Sequence, residues 1–83
     1  DIDWEYPGDL TRGGSDADFT NFVQFLKELY AACKATSPQL YVTYASPAIV
    51  PTGISEGYRS GYFQWLASCA PNLDWFNIMC YDY

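Results

Sequence analysis

In the first seven residues, Asp1-Ile2-Asp3-Trp4-Glu5-Tyr6-Pro7, three carboxylates alternate with two large apolar side chains. Successive side chains on a strand point to opposite faces, so Asp1, Asp3 and Glu5 share one face and Ile2 and Trp4 the other. α-Carbons two positions apart on a strand lie roughly 6.5–7 Å from each other. Three acids at that spacing repel, which favours the protonated form of at least one of them. Ile2 and Trp4 require their own face to be covered. The stretch therefore predicts a strand with an apolar back and an acidic front.

The rest of the chain is read against that strand. Pro7-Gly8-Asp9-Leu10-Thr11-Arg12-Gly13-Gly14 is rich in turn formers and predicts a loop. Ser15-Asp16-Ala17-Asp18 follows as a helix start, a Ser-x-x-Asp variant of the capping box with acids in the first turn. Phe19, Phe22, Val23, Leu26, Tyr30 and Cys33 recur at steps of three and four, predicting an amphipathic helix to about Ala35. Phe25 and Leu29 widen its apolar stripe, and Thr36-Ser37-Pro38 ends it. Leu40 to Ala45 is β-branched and aromatic and predicts a second strand, stopped by Ser46-Pro47. Ala48 to Ser60 predicts a long irregular loop of the kind that carries function. Tyr62, Trp65, Leu66 and Cys69 give a shorter helix ending at Pro71, and Leu73 to Tyr83 a third strand.

Strand, helix, strand, helix, strand is the order of a parallel sheet with right-handed crossovers, an α/β fold. A doubly wound sheet and a (β/α)8 barrel both contain such a unit. No glycine-rich phosphate loop follows any strand, which weighs against the nucleotide-binding version. The polar and aromatic residues sit at the helix-following ends of the strands, where a barrel keeps its active site. Aromatics at 19% and hydrophobics at 49% suit strands buried on both faces better than a solvated mini-domain of 83 residues. Residue 1 and residue 83 both fall inside patterned strands, which predicts an internal piece of a longer chain.

A net charge of −6, with four Lys plus Arg and no His, excludes a phosphate-neutralising patch for nucleic acid and a basic face for anionic membranes. No apolar run approaches the roughly 20 residues of a membrane span. The three cysteines, Cys33, Cys69 and Cys80, lack metal-ligand spacing and have no His to join them, so no zinc site is expected.

Three readings of Asp1, Asp3 and Glu5 stay open on the residues alone. They are a solvated polar face, a divalent-cation site of clustered carboxylates, or acid catalysis on a glycosidic bond. In the last, one carboxylic acid stays protonated near neutral pH to donate to the leaving oxygen, and like-charged neighbours help. Glu5 has the position for it, nearest the strand end and with the longest reach. Met79, Tyr81 and Tyr83 share one parity with Asn77, which allows either plain barrel core or a functional face.

Asp-Ile-Asp-Trp-Glu-Tyr-Pro resembles the core of the signature of glycoside hydrolase family 18, the chitinase family. Asp1, Asp3 and Glu5 match the last three acids of its Asp-x-x-Asp-x-Asp-x-Glu pattern. The first acid would stand three residues before Asp1. Asn77 to Tyr83 resembles the family's Met-x-Tyr-Asp segment, and Tyr44-Ala45-Ser46-Pro47-Ala48 the end of its fifth strand. The Arg12-Gly13-Gly14 loop is similar to that of fungal-type members. The resemblance implies strands four to six of a (β/α)8 barrel, with residues 1–83 forming part of its catalytic domain.

It also implies roles. Glu5 would be the general acid, Asp3 would hold the substrate's acetamido group and stabilise an oxazolinium intermediate, and Asp1 would share a proton with Asp3. Tyr81 would hydrogen-bond the acetamido carbonyl, Met79 and Asp82 would line the sugar floor, and Tyr6 would sit beside the neighbouring sugar. Chitin or chitooligosaccharides would be the substrates, with no cofactor or metal, in a secreted, monomeric enzyme. A chitinase-like lectin and an endo-β-N-acetylglucosaminidase acting on N-glycans are the alternatives within the family; the presence of Glu5 favours an enzyme. Trp4, Ile2, Phe76, Ile78 and Cys80 would face outer helices, Trp65 and Trp75 would be core, and Cys33 and Cys69 could pair as a disulfide.

Overall fold

The computed structural model describes residues 1–80. Its two longest helices are α1, Asp18–Thr36, and α3, Tyr62–Cys69, and a four-residue helix α2 spans Glu56–Arg59. Its strands are β1, Thr43–Pro47, and β2, Trp75–Met79, and single 3-10 turns cover Leu10–Arg12 and Ala70–Asn72. β1 and β2 are parallel, in register from Thr43 opposite Trp75 to Pro47 opposite Met79. Ile2 forms a parallel bridge to Tyr44 on the other edge of β1. The unit is therefore α/β, with strand-forming segments lying side by side in chain order.

The helices cover one face of this sheet because their apolar residues recur on one side. Phe22 and Leu26 of α1 meet Val42 and Tyr44 of the β1 segment, Leu66 and Cys69 of α3, and Leu73, all buried in one cluster. Each large side chain buried this way contributes about 1.5–3 kcal/mol relative to exposure. Ile2 and Phe76 pack on the same cluster. Trp4 meets Phe22 edge to face, with ring centroids 5.4 Å apart. The expected parity of the opening stretch therefore holds for its apolar side. A second cluster joins Phe19, Ile54 and Tyr62, and the Trp65 indole N–H donates to the Phe19 carbonyl at 2.7 Å.

Several expected boundaries move. The opening stretch is not a continuous strand. Ile2 donates to the Thr43 carbonyl at 2.7 Å and accepts from Ala45 N–H at 2.8 Å. The chain then bends at Glu5 and closes a turn in which Asp9 N–H reaches the Tyr6 carbonyl. The second strand begins at Thr43 rather than Leu40, because the Asp74 carboxylate takes the Val42 N–H at 2.7 Å and Lys34 takes the Leu40 carbonyl at 2.6 Å. Pro47 closes that strand from within rather than stopping it from outside. The loop after β1 contains α2, and its Ile54 pairs antiparallel with Asp9.

The third strand is confined to Trp75–Met79 among the described residues. Ile78, Cys80 and Trp75 are exposed rather than packed, whereas Phe76 meets the core as expected. Cys33, Cys69 and Cys80 are all free thiols, so no Cys33–Cys69 disulfide forms. At the far end of the strands from Glu5, Lys34 and Asp74 form an ion pair at 3.1 Å. The Val42 N–H, followed by Lys34, holds the Asp74 carboxyl below its ordinary range.

Candidate active site

Asp1 lies on the sheet face opposite α1. Its carboxylate accepts from the Thr43 hydroxyl at 2.8 Å and from the Asn77 amide at 3.2 Å. One acid is thereby held by donors from β1 and from β2. Asn77 in turn accepts from the Trp75 indole at 3.2 Å, extending the polar row along β2. Asp3, two residues on, is exposed. Glu5 is half-buried at the bend, and its carboxylate accepts from the Tyr6 hydroxyl at 3.3 Å. The Glu5–Tyr6 peptide is cis.

Behind these acids the backbone is fastened from both sides. The buried Tyr44 hydroxyl donates to the Trp4 carbonyl at 3.3 Å, next to the Glu5 amide. Burial, then the neighbouring Tyr62, Cys69, Tyr6 and Asp3, push the Tyr44 phenol far above its ordinary pKa, so it stays a neutral donor. Tyr62 is raised likewise, chiefly by burial, and its hydroxyl is buried without a hydrogen-bond partner among the described residues.

Ahead of the acids, the Asp18 carboxylate accepts from Gly8 N–H at 2.9 Å and Ser15 N–H at 3.1 Å. Asp18 thus completes the backbone half of the capping box and also grips the turn beyond Glu5. Asp9 is buried and accepts from Thr11 through both the backbone N–H and the hydroxyl. Leu10 N–H donates to the Gly53 carbonyl at 2.9 Å. Gly53 must be glycine here, because a Cβ would overlap the Asp9 carboxylate.

The turn after Glu5 and the loop after β1 enclose an open groove of about 230 Å³. Tyr6, Arg12, Pro47, Ile49, Val50 and Thr52 line it. The Arg12 guanidinium lies over the Tyr6 ring, 5.5 Å from its centroid, and its Nε is 3.8 Å from the Asp9 carboxylate.

Of the residues singled out in the sequence, Asp1, Asp3, Glu5 and Tyr6 share the opening segment, while Met79 ends β2, half-buried, in register with Pro47. Tyr81 and Asp82, with Tyr83, lie outside the described residues. Thr43, Tyr44, Asp9, Arg12 and Asp18 were not singled out as functional. The Asp-x-Thr turn at Asp9 and the parallel register that sets Thr43 beside Asp1 are the signals that point to two of them. Among the described residues no group of three or more His, Cys, Asp or Glu is placed to hold a metal ion. No described helix is long and apolar enough to cross a membrane.

A family model described as glycosyl hydrolases family 18 matches residues 1–83. A protein named probable endochitinase from Caenorhabditis elegans is 36% identical over 87 residues, covering 100% of this chain and 12% of that protein. An endochitinase of Manduca sexta is 33% identical over 82 residues, covering 99% of this chain and 14% of its own length. Chitinase 1 of Aphanocladium album is 32% identical over 83 residues, covering 100% of this chain and 18% of its own. The chain thus spans between 12% and 18% of the length of these relatives. No solved structure matches.

Proposed function

The chain belongs to glycosyl hydrolases family 18, and from that premise we propose that it forms part of the catalytic domain of a chitinase, strands four to six of a (β/α)8 barrel. The substrate is a β-1,4-linked N-acetylglucosamine polymer, and cleavage is retaining and substrate-assisted. Glu5 protonates the glycosidic oxygen as the bond to the anomeric carbon breaks, while the substrate's own acetamido oxygen attacks that carbon. Asp3 orients the acetamido group and balances the positive charge of the resulting oxazolinium. Glu5, now ionised, then takes a proton from the water that opens the intermediate. Asp1 positions Asp3. Tyr6, Met79, Tyr81 and Asp82 contact the sugars. The parent protein acts outside the cell.

The observation that carries this reading is the clamp on Asp1. Donors from β1 and β2 hold its carboxylate on the face away from α1, although the residue itself is exposed. A merely solvated acid has no need of two donors from separate strands. Relatives named probable endochitinase and endochitinase support the substrate class.

The test is Glu5→Gln in the full-length protein, assayed on chitooligosaccharides. Cleavage is expected to fall by at least a hundredfold while binding of the oligomers persists. Near-normal turnover in the variant would remove Glu5 from the mechanism. Binding without cleavage by the unaltered protein would make it a lectin, and cleavage confined to N-glycan cores would make it an endo-β-N-acetylglucosaminidase.

A further inference from the structure

The pairing that joins the opening segment to β1 ends early. Ile2 bridges to Tyr44, and the Ala45 N–H closes on the Ile2 carbonyl at 2.8 Å. Backbone carbonyls two residues apart on extended chain point the same way, so the Trp4 carbonyl also faces β1. There it meets a side chain instead of a backbone N–H, because the Tyr44 hydroxyl donates to it at 3.3 Å. Tyr44 thus holds the segment twice, at Ile2 through its place in the strand and at Trp4 through its phenol. The Trp4 carbonyl and the Glu5 nitrogen belong to one planar peptide unit. A donor on the first therefore constrains the second and the Glu5 α-carbon that follows it. On the far side of Glu5, Gly8 N–H is held by the Asp18 carboxylate.

We infer that Tyr44 is a positioning residue for the proton donor, its hydroxyl holding the Trp4–Glu5 peptide so that the Glu5 carboxyl is presented to the leaving oxygen. The inference rests on the glycosidase reading for what Glu5 does. Packing alone does not call for the hydroxyl. The Tyr44 ring is fully buried, its centroid 5.0 Å from that of Phe22 and 6.4 Å from that of Phe76, and a phenylalanine would make the same contacts. Tyr62 supplies the contrast, equally buried but with no hydrogen-bond partner for its hydroxyl among the described residues. At 3.3 Å the Tyr44 bond is long for a hydroxyl donor, so it orients more than it stabilises. Burial keeps the phenol far above its ordinary pKa, which leaves it a donor and never a rival acid. A proton donor displaced by a fraction of an ångström loses rate while substrate still binds as before.

The experiment uses the full-length protein and the variants Tyr44→Phe and Tyr62→Phe. Hydrolysis of chitopentaose, whose departing sugar oxygen needs a proton, is compared with that of dinitrophenyl N,N′-diacetylchitobioside, whose phenolate leaves without one. Tyr44→Phe is expected to lower kcat for chitopentaose about fivefold, the scale of one neutral hydrogen bond, with KM changed by less than about twofold. The kcat/KM for the dinitrophenyl glycoside, which reports the step up to the oxazolinium, should change by less than about twofold. Tyr62→Phe should leave both substrates within about twofold of the parent. Equal losses on the two substrates, no loss on chitopentaose, or a loss of the same size in Tyr62→Phe would overturn the assignment. Hydrogen-exchange mass spectrometry on the peptide spanning Trp4 and Glu5 separates this from failure of the glycosidase reading. If the parent cleaves neither substrate, exchange there that is at least about threefold faster in Tyr44→Phe than in the parent or in Tyr62→Phe retains the positioning and loses the chemistry. Exchange unchanged by Tyr44→Phe overturns the positioning.

Discussion

Asp18, the first residue of α1, accepts the Gly8 N–H at 2.9 Å and so ties the start of the longest helix to the turn three residues past Glu5. The same oxygen takes the Ser15 N–H. The helix start and the turn therefore share one acceptor, and neither can shift without the other. Glu5 stands between this fastening and the Tyr44 hydroxyl on the Trp4 carbonyl.

Asp18→Ala in the full-length protein should lower stability by about 1–2 kcal/mol, the cost of losing a helix-start acceptor and leaving two N–H groups without it. If Glu5 acts as proposed, it should also slow turnover several-fold, because a proton donor held loosely spends less time in reach of its oxygen. Asp18→Asn, which keeps an acceptor oxygen, should recover most of both. Denaturant titration and kcat on chitooligosaccharides check the two effects. An Asn variant as impaired as the Ala variant would show that charge, not hydrogen bonding, does the fastening.

Asp74 sets a pH dependence at the opposite end of the strands. Its carboxyl is held low by the Val42 N–H and then by Lys34, so the folded state favours the ionised form. Stability from this group is complete above the ordinary carboxylate pKa of about 4 and is lost as pH falls through the lowered folded value. Asp74→Ala should therefore destabilise the protein near neutral pH and flatten the loss of stability on acidification. Denaturation midpoints compared at neutral and strongly acidic pH would show this as a gap between variant and parent that closes in acid.

Cys69 is a free thiol whose burial pushes its pKa up to about 11. At pH 8 roughly a thousandth of it is thiolate, and the closed core denies access to that fraction. Alkylation by iodoacetamide at pH 8 should leave Cys69 unmodified in the folded protein and label it promptly in denaturant. Peptide mass mapping before and after unfolding gives the readout. Rapid labelling of Cys69 under native conditions would mean that the contact between α3 and the sheet opens readily.

What the sequence made readable was whatever depends on short-range periodicity. The span of α3, Tyr62–Cys69, coincides with its apolar pattern because Gly61 and Pro71 bracket it. The capping pattern at Ser15 points to a helix start three residues before Asp18, because Ser15, Asp16 and Ala17 form a turn that leads into α1, with Asp18 reaching back to the Ser15 amide. Alternation in the opening stretch sorted Ile2 and Trp4 to the helix side and Asp1 to the other. Alternation could not show that pairing is limited to Ile2, since the limit comes from the Tyr6–Asp9 turn. Thr43 and Asn77 became visible only with the register of three segments in hand. Asp9 was hidden because Gly53 and Ile54, the residues it meets, lie beyond a helix and a strand in the chain.

The bridge between Asp9 and Ile54 has a consequence for how this region can diverge or be re-engineered. Two loops that follow different strands, and that recombination would treat as separate cassettes, are halves of a single joint. A graft that imports either loop alone brings one side of a mortise without its tenon, with Gly53 answering to an acid the new loop lacks. Variation at this rim should therefore be inherited as a pair, and a library that shuffles the loops independently would spend most of its members on mismatched joints.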